Sequence, residues 1–270
     1  MRVGVVGAGG KMGREVCRTV LAEPDLELAV ALDPALGGRD LATLLGVDAG
    51  GLAIAGDPGA LAGSGAEVVV DFTRVEAARR TLALCATEGI HAVVGTTGFT
   101  DDDLAELGRT FTGTGGAPNC ILAPNFAIGA VLMMRFAELA APFFDGAEIV
   151  ELHHDGKLDA PSGTAVRTAE RMAAARQAAG SGSFPEDRTT TVVVEGARGG
   201  AGPGGVRLHS VRLRGLVAHQ EVVLGAVGQG LTIRHDSYDR VSFMDGVVLA
   251  VRAVPDRPGL TLGLEPVLGL

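Results

Sequence analysis

Residues 2–13 read RVGVVGAGGKMG, and how they are read decides the fold. RVGVV is a short, β-branched apolar run that suits one strand. The glycine cluster after it is too permissive to extend that strand. From Gly10 to Ala22 the apolar residues Met12, Val16, Val20 and Leu21 recur at helical spacing. The order is therefore strand, glycine turn, helix. In such a turn Gly7 makes the tight bend, while Gly9 and Gly10 let backbone N–H groups approach a pyrophosphate at the helix N-terminus. Ala8, Lys11 and Met12 complete the loop. Met12 stands where the G-x-G-x-x-G pattern has its last glycine, and Gly13 follows one position later. Asp33 lies twenty residues past Gly13, at the end of the apolar run Leu26 to Leu32. An acid there accepts hydrogen bonds from a ribose. The whole set predicts dinucleotide binding; the bland alternative is a glycine-rich turn with an unrelated surface acid. Asp33 disfavours a 2′-phosphate and Lys11 offsets that repulsion, so both NADH and NADPH are expected as cofactors.

Outward from this unit the alternation continues. Residues 66–72, 90–94 and 120–123 read as further strands, with helices from Val75 to Thr87 and from Asp101 onward. Gly95-Thr96-Thr97-Gly98 closes one of these strands. Such β-α-β-α order predicts a parallel sheet covered on both faces. The second half differs. An apolar helix at 127–141 precedes a strand at 147–153 and a helix from Gly163 to Ala179. Candidate strands follow at 189–195, 206–213, 219–227 and 230–235. The glycine-rich run 196–205 reads as a mobile loop, either a plain linker or a flap. From about Asp236 the pattern turns helical and returns to the first domain. The expectation is an α/β protein: a Rossmann-like dinucleotide-binding domain over residues 1–125 and 236–270, and an α+β domain over 126–235 with a mixed or antiparallel sheet.

Composition narrows the partners. A net charge of −9 with no basic cluster argues against nucleic acid. No apolar run is long enough to span a membrane, and the N-terminus lacks a signal-peptide pattern. The three cysteines, Cys17, Cys85 and Cys120, are far apart and form no C-x-x-C. No disulfide framework is expected, and a reducing, cytoplasmic location fits.

The chemistry concentrates in residues 151–165, ELHHDGKLDAPSGTA. Adjacent side chains on a strand point to opposite faces, so His153 and His154 share a site only if the strand ends there. Asp155-Gly156 supplies the turn that brings Lys157 back. Three readings compete. Two polar histidines can simply be satisfied at a sheet edge. A metal site is disfavoured, because adjacent histidines chelate poorly and no thiol is near. An anionic-substrate site with acid–base chemistry uses everything present: imidazole for proton transfer, ammonium for a carboxylate or a developing anion, and the N–H groups around Ser162, Gly163 and Thr164 for a second carboxylate at a helix start. These groups suit an acid, and better still a diacid; the residues thus predict a nicotinamide-dependent reductase of a small anionic substrate, with no metal.

The segment E-L-H-H-x-x-K-x-D-A-P-S-G-T-A closely resembles the signature of the dihydrodipicolinate reductase family. GAGGKMG resembles its cofactor loop, Gly95-Thr96-Thr97-Gly98 its segment beside the nicotinamide, and Ala123-Pro124-Asn125-Phe126 its cofactor-touching hinge motif, all in the family's order. The resemblance implies reduction, by NADH or NADPH, of the cyclic imine diacid derived from 4-hydroxy-tetrahydrodipicolinate to tetrahydrodipicolinate, in lysine and diaminopimelate biosynthesis. It implies His153 as proton donor and acceptor, Lys157 as second donor, and His154, Gly163 and Thr164 as substrate ligands. It also implies that 126–235 is a substrate-binding and oligomerisation domain whose sheet builds a homotetramer, and that 236–270 return to the first domain. Asp33 matches the family's ribose position, and Pro34 stands where some members carry a basic residue, so NADPH use rests on Lys11. The competing functions are another two-domain NAD(P)-dependent oxidoreductase, which does not need the His-His-Lys set, and a non-catalytic redox-sensing regulator.

Overall fold

A computed structural model describes all 270 residues. The chain divides into two compact units, Met1–Ile128 with Arg240–Leu270, and Gly129–Asp239.

Unit 1 contains strands β1 (Arg2–Val6), β2 (Glu27–Leu32), β3 (Val68–Asp71), β4 (His91–Val94) and β5 (Cys120–Leu122). Its main helices are α1 (Lys11–Ala22), α2 (Leu41–Leu45), α3 (Val75–Glu88) and α4 (Asp101–Thr110). The chain returns late to add a helix, Met244–Ala253, and a closing strand, Leu260–Leu262. All six strands are parallel, in the order Leu260–Leu262, β5, β4, β3, β1, β2. The strands are nearly unbroken Val, Ile and Leu because helices cover both faces; Val68, Val69, Val70 and Asp71 are all buried.

Helix α1 packs Gly13, Val16, Cys17 and Val20 inward. A Cβ on Gly13 would lie 2.0 Å from the carbonyl oxygen of Gly7. That contact explains the shifted spacing seen in the sequence. The glycine required for close helix–strand packing is Gly13, and Met12 is free to differ. Gly7 takes a left-handed conformation, φ +81°, which only glycine adopts without strain. Helix α4 starts with a capping box, Thr100 with Asp103. The closing strand was not among the expected ones. Leu-Thr-Leu between Gly259 and Gly263 is too short to show a period.

Unit 2 holds α5 (Ile128–Ala140, joined at its first residue), β6 (Gly146–His153), α6 (Gly163–Ala178), β7 (Gly200–Ala201), β8 (Arg207–Arg212), β9 (Ala218–Ala226) and β10 (Gln229–Ser237). The sheet order is β10-β9-β6-β8-β7. Strands β6 and β8 are parallel and the other pairs antiparallel, so the sheet is mixed.

Three expectations change here. Residues 189–195 form no strand. Thr189 folds back onto Asp187, and Val192, Val193 and Val194 stand 54%, 89% and 66% exposed. The run pairs with neither edge of the β10-β9-β6-β8-β7 sheet, so its β propensity goes unused. The run 196–205 is not irregular throughout. Gly200–Ala201 pairs with β8, Gly202 N–H bonds the Val206 carbonyl at 2.8 Å, and Gly204 packs against Ala173. Finally, Asp236 still belongs to β10, opposite His219, and regular helix resumes only at Met244.

Replacing Gly13 by alanine forces Gly7 or α1 to shift against a backbone atom. The expected cost is about 2–3 kcal/mol of stability, read as a lower urea midpoint at unchanged m-value.

Candidate active site

The glycine loop of unit 1 presents a positive helix end with nothing of its own to neutralise it. Gly10 is the N-cap of α1, without a side-chain cap and without an acid in the first turn. Arg14 N–H bonds the Gly10 carbonyl at 3.0 Å, so the N–H groups of Lys11, Met12 and Gly13 have no acceptor within the helix. These donors and the helix dipole fit a pyrophosphate. The loop is fixed from beneath by Gly7 and Ala8 N–H groups on the Leu32 carbonyl, at 2.9 and 3.0 Å. Asp33 fixes it from the side, its Oδ2 accepting from Gly9 N–H at 3.0 Å and its Oδ1 from Ala35 N–H at 3.0 Å. A Cβ on Gly9 would meet Leu36 Cδ1 at 2.4 Å and Asp33 Oδ2 at 2.6 Å, so Gly9 is glycine to let both side chains approach. The residues therefore fit a dinucleotide, with Lys11 exposed at the loop tip.

The Gly95–Gly98 segment is tied to the end of β3. Asp71 is buried, and its Oδ1 accepts from Thr73 N–H at 2.9 Å, Thr73 Oγ1 at 2.6 Å and Thr96 Oγ1 at 3.0 Å. Its Oδ2 is buried without a partner. Thr96 is thus committed internally, and Thr97 is the exposed residue of the pair. Gly95 has no room for a Cβ, which would lie 2.0 Å from the Phe72 ring. Phe72 meets Phe126 edge-on, ring centroids 5.6 Å apart. In the Ala123–Phe126 motif, Ala123 and Phe126 are core, Pro124 is exposed, and Asn125 Oδ1 accepts from Ala127 N–H at 2.9 Å. Ala123 and Phe126 offer a cofactor backbone and shape, not a polar side chain.

In unit 2 the two histidines separate as the turn requires. Strand β6 ends at His153, and Lys157 N–H bonds the His154 carbonyl at 3.2 Å. His154 is exposed, while His153 is half-buried with Nδ1 2.5 Å from Glu151 Oε2. Glu151 is fully buried. Both its oxygens receive the Arg212 guanidinium at 2.8 Å, and Oε1 also accepts from Ser162 N–H at 3.1 Å. Burial opposes ionisation of Glu151, yet Arg212, Ser210 and His153 together hold it down at about 2. His153 is pushed below the usual imidazole value, chiefly by burial; Glu151 opposes that shift, while Lys157 and Arg212 add to it. Lys157 Nζ rests on both carboxylate oxygens of Asp159, at 2.8 and 2.9 Å.

The start of α6 is partly spent. Ser162 is its N-cap, accepting from Ala165 N–H at 3.2 Å, and its own N–H serves Glu151. Ser162 therefore supports the site from inside. The N–H groups of Gly163 and Thr164 are left at the positive end. A Cβ on Gly163 would meet nothing within 4 Å, so the space before it is open. No group of three or more His, Cys, Asp or Glu side chains is arranged to hold a metal ion. No helix is long and apolar enough to cross a membrane. A cavity of about 630 Å³ on unit 2, lined by Glu148, Asp187, Arg198 and Arg207 among others, includes none of these site residues.

Sequence reasoning missed Asp71, Glu151 and Arg212. A signal existed for two of them. Asp71 ends an otherwise apolar strand, VVVD. Glu151 occupies the same face of β6 as Ala147 and Ile149, and a carboxylate on an apolar face calls for a partner. Arg212 carries no signal in its own neighbourhood, since only strand pairing brings it to β6.

A parallel α/β unit with an open, glycine-lined helix start, joined in one chain to a mixed-sheet unit with a carboxylate–imidazole pair and a lysine, defines a two-unit nicotinamide-dependent oxidoreductase. The comparisons narrow that class. The family model described as dihydrodipicolinate reductase, N-terminus, matches residues 1–126, and its C-terminal counterpart matches residues 129–268. The chain belongs to the dihydrodipicolinate reductase family. It is 51% identical over 270 residues to the 4-hydroxy-tetrahydrodipicolinate reductase of Cutibacterium acnes, covering 100% of this chain and 99% of that one. It is 50% identical, with the same coverage, to that of Nocardia farcinica. A solved structure, the dipicolinate-bound dihydrodipicolinate reductase from Paenisporosarcina sp. TG-14, superposes with a TM-score of 0.83 at 39% identity over 98% of both chains.

Removing the Asp71 carboxylate takes away three of the bonds that tie the 71–73 and 95–98 loops and leaves Thr73 N–H on Thr96 Oγ1, at 3.0 Å, as the remaining side-chain tie. Asp71→Ala should raise the dinucleotide Kd roughly tenfold, about 1.4 kcal/mol, measured by fluorescence titration of the purified chain.

Proposed function

We propose that this chain reduces the cyclic imine diacid derived from 4-hydroxy-tetrahydrodipicolinate to tetrahydrodipicolinate, with NADH or NADPH as reductant, in lysine and diaminopimelate biosynthesis. The observation that carries the reading is the set in unit 2: His153 on its buried carboxylate, Lys157 on a mobile-length side chain beside it, and the open Gly163-Thr164 helix start. That set matches a ligand with two carboxylates and a site of proton uptake.

In unit 1, the Lys11, Met12 and Gly13 N–H groups hold the pyrophosphate, and Asp33 meets the adenosine ribose. The other proposed cofactor contacts come from Gly7, Ala8, Gly9, Gly10, Gly95, Thr96, Thr97 and the Ala123-Pro124-Asn125-Phe126 backbone. When bound, the reduced nicotinamide would supply the hydride that the substrate ring takes up. Gly163 and Thr164 hold one carboxylate at the positive end of α6. His154 contacts the diacid, and Lys157 stabilises the electron density that develops in the ring. His153 passes a proton at Nε2 to the adjacent carbon, because its Nδ1 is bound to Glu151. Lys11 at the loop tip tempers the bias of Asp33 against a 2′-phosphate, so both cofactors serve.

The chain assembles as a homotetramer through unit 2. Exposed apolar side chains of unit 2 support this: Val193 at 89% exposure, Val227 at 97% in the turn between β9 and β10, and Leu231 at 37% on β10. A cytoplasmic location suits the three cysteines, which are buried and unpaired.

Purified protein given freshly made dihydrodipicolinate precursor should consume NADH and NADPH, with kcat/KM values within roughly a thousandfold, about 4 kcal/mol. His153→Gln and Lys157→Ala should each lower kcat by roughly a hundredfold or more while the cofactor Kd stays nearly constant. Absence of turnover, or variants with full activity, defeats the reading. Sedimentation equilibrium should give four times the 27.4 kDa chain mass, and Val193→Asp should lower it; a wild-type monomer refutes the assembly.

A further inference from the structure

We infer that Glu151 is the positioning residue of the proton-transfer histidine, and that its clasp by Arg212 carries the same constraint to the Lys157 loop and the α6 start. The inference rests on the role proposed above for His153.

Three features of the geometry support it. First, Glu151 has no exposed surface, and each of its oxygens is engaged by the Arg212 fork at 2.8 Å. A carboxylate so paired is ionised and can only accept. The hydrogen in the 2.5 Å contact therefore belongs to His153 Nδ1. That fixes the tautomer: Nε2 carries the lone pair when the ring is neutral and the mobile proton when it is charged. Only Nε2 is left to exchange a proton with a ligand.

Second, the same carboxylate accepts from Ser162 N–H at 3.1 Å. It thereby sets the height of the α6 N-cap against β6, and with it the direction of the Gly163 and Thr164 N–H groups. Third, Arg212 reaches beyond Glu151. One guanidinium nitrogen donates to the Asp159 carbonyl at 2.6 Å and the other to the Val211 carbonyl at 2.8 Å. Asp159 in turn holds Lys157 Nζ. One buried ion pair therefore joins the imidazole, the helix start and the lysine loop.

The charged groups facing His153 are Glu151 on its own strand, Arg212 from β8 and Lys157 from the following turn. The start of α6 contributes the uncharged Ser162. Glu151 is the only negative member of that set. Without its charge, both cations oppose protonation of the ring.

The test uses the full chain with ¹⁵N-labelled histidine. His153 is assigned by the signal lost in His153→Gln. The wild type should show the Nδ1–H tautomer. In Glu151→Gln, the ring should lose that single tautomer and its titration midpoint should fall by about one unit or more. In turnover assays kcat should drop at least roughly tenfold and by more than KM rises, with the cofactor Kd unchanged. A wild-type tautomer and midpoint in Glu151→Gln overturn the inference whatever the activity. Should that variant fail to fold, Glu151→Asp keeps a charge for Arg212 but withdraws it from the ring. It should show the same loss of tautomer and a downward shift, and wild-type values there are equally fatal. The ring titration needs no substrate. A wild type with no turnover would count against the proposed reaction, and the titration would still decide the role of Glu151.

Discussion

A carboxylate with no exposed surface is costly to desolvate unless charge and hydrogen bonds meet it on every side. At Glu151 they do: a two-pronged guanidinium, a helix-capping N–H and an imidazole. The groups come from β8, the start of α6 and β6 itself, and the proposed substrate contacts are attached to them. The mixed sheet is what makes the meeting possible. Parallel pairing of β6 with β8 sets Glu151 beside Ser210 and His153 beside Arg212. Breaking the clasp would leave an unpaired buried charge, which costs far more than the pair contributes when whole. The arrangement thus defines one geometry more than it adds stability.

Unit 1 uses the same device at a smaller scale. Asp71 gathers three donors from two βα loops at the C-terminal edge of the parallel sheet. Ligands of open parallel sheets bind beyond that edge. In both units a buried acid arranges the loops, and the groups proposed to meet a ligand sit close by: Thr97 beside Thr96, and Nε2 across the ring from Nδ1.

Much of this was legible in the order of residues. Strand, glycine loop, helix and Asp33 identified the dinucleotide unit because each has a local cause. Even the displaced glycine was visible as an anomaly, although its reason, the contact between Gly13 and the Gly7 carbonyl, needed coordinates. The His-His-x-x-Lys turn was legible because Asp155-Gly156 ends a strand for reasons internal to the segment. What failed was whatever depends on distant partners. The Thr189–Glu195 run has a strand's composition, but a strand forms only where it is paired, and this run pairs with none. Leu260–Leu262 shows the reverse: three unremarkable residues become a strand because β5 offers an edge. Ser162 was expected to face a ligand, and its N–H instead serves Glu151, which no spacing rule connects to it.

Unit 2 interrupts unit 1 in the chain, and this imposes a schedule on synthesis. Residue 237 completes the sheet of unit 2, whereas the sheet of unit 1 lacks its last strand until residue 262. Asn119 illustrates the delay. Its side chain bonds the Val254 and Pro255 carbonyls and the Gly259 N–H, across 135 to 140 residues of sequence. A growing chain that has emerged only as far as Ser237 therefore holds every strand of the later unit. The earlier unit at that moment still carries β5 as an open edge, with the Asn119 side chain without its partners. Long-range closure of this kind is slow compared with local pairing. The unit begun first, at Met1, is the one whose strands are complete last.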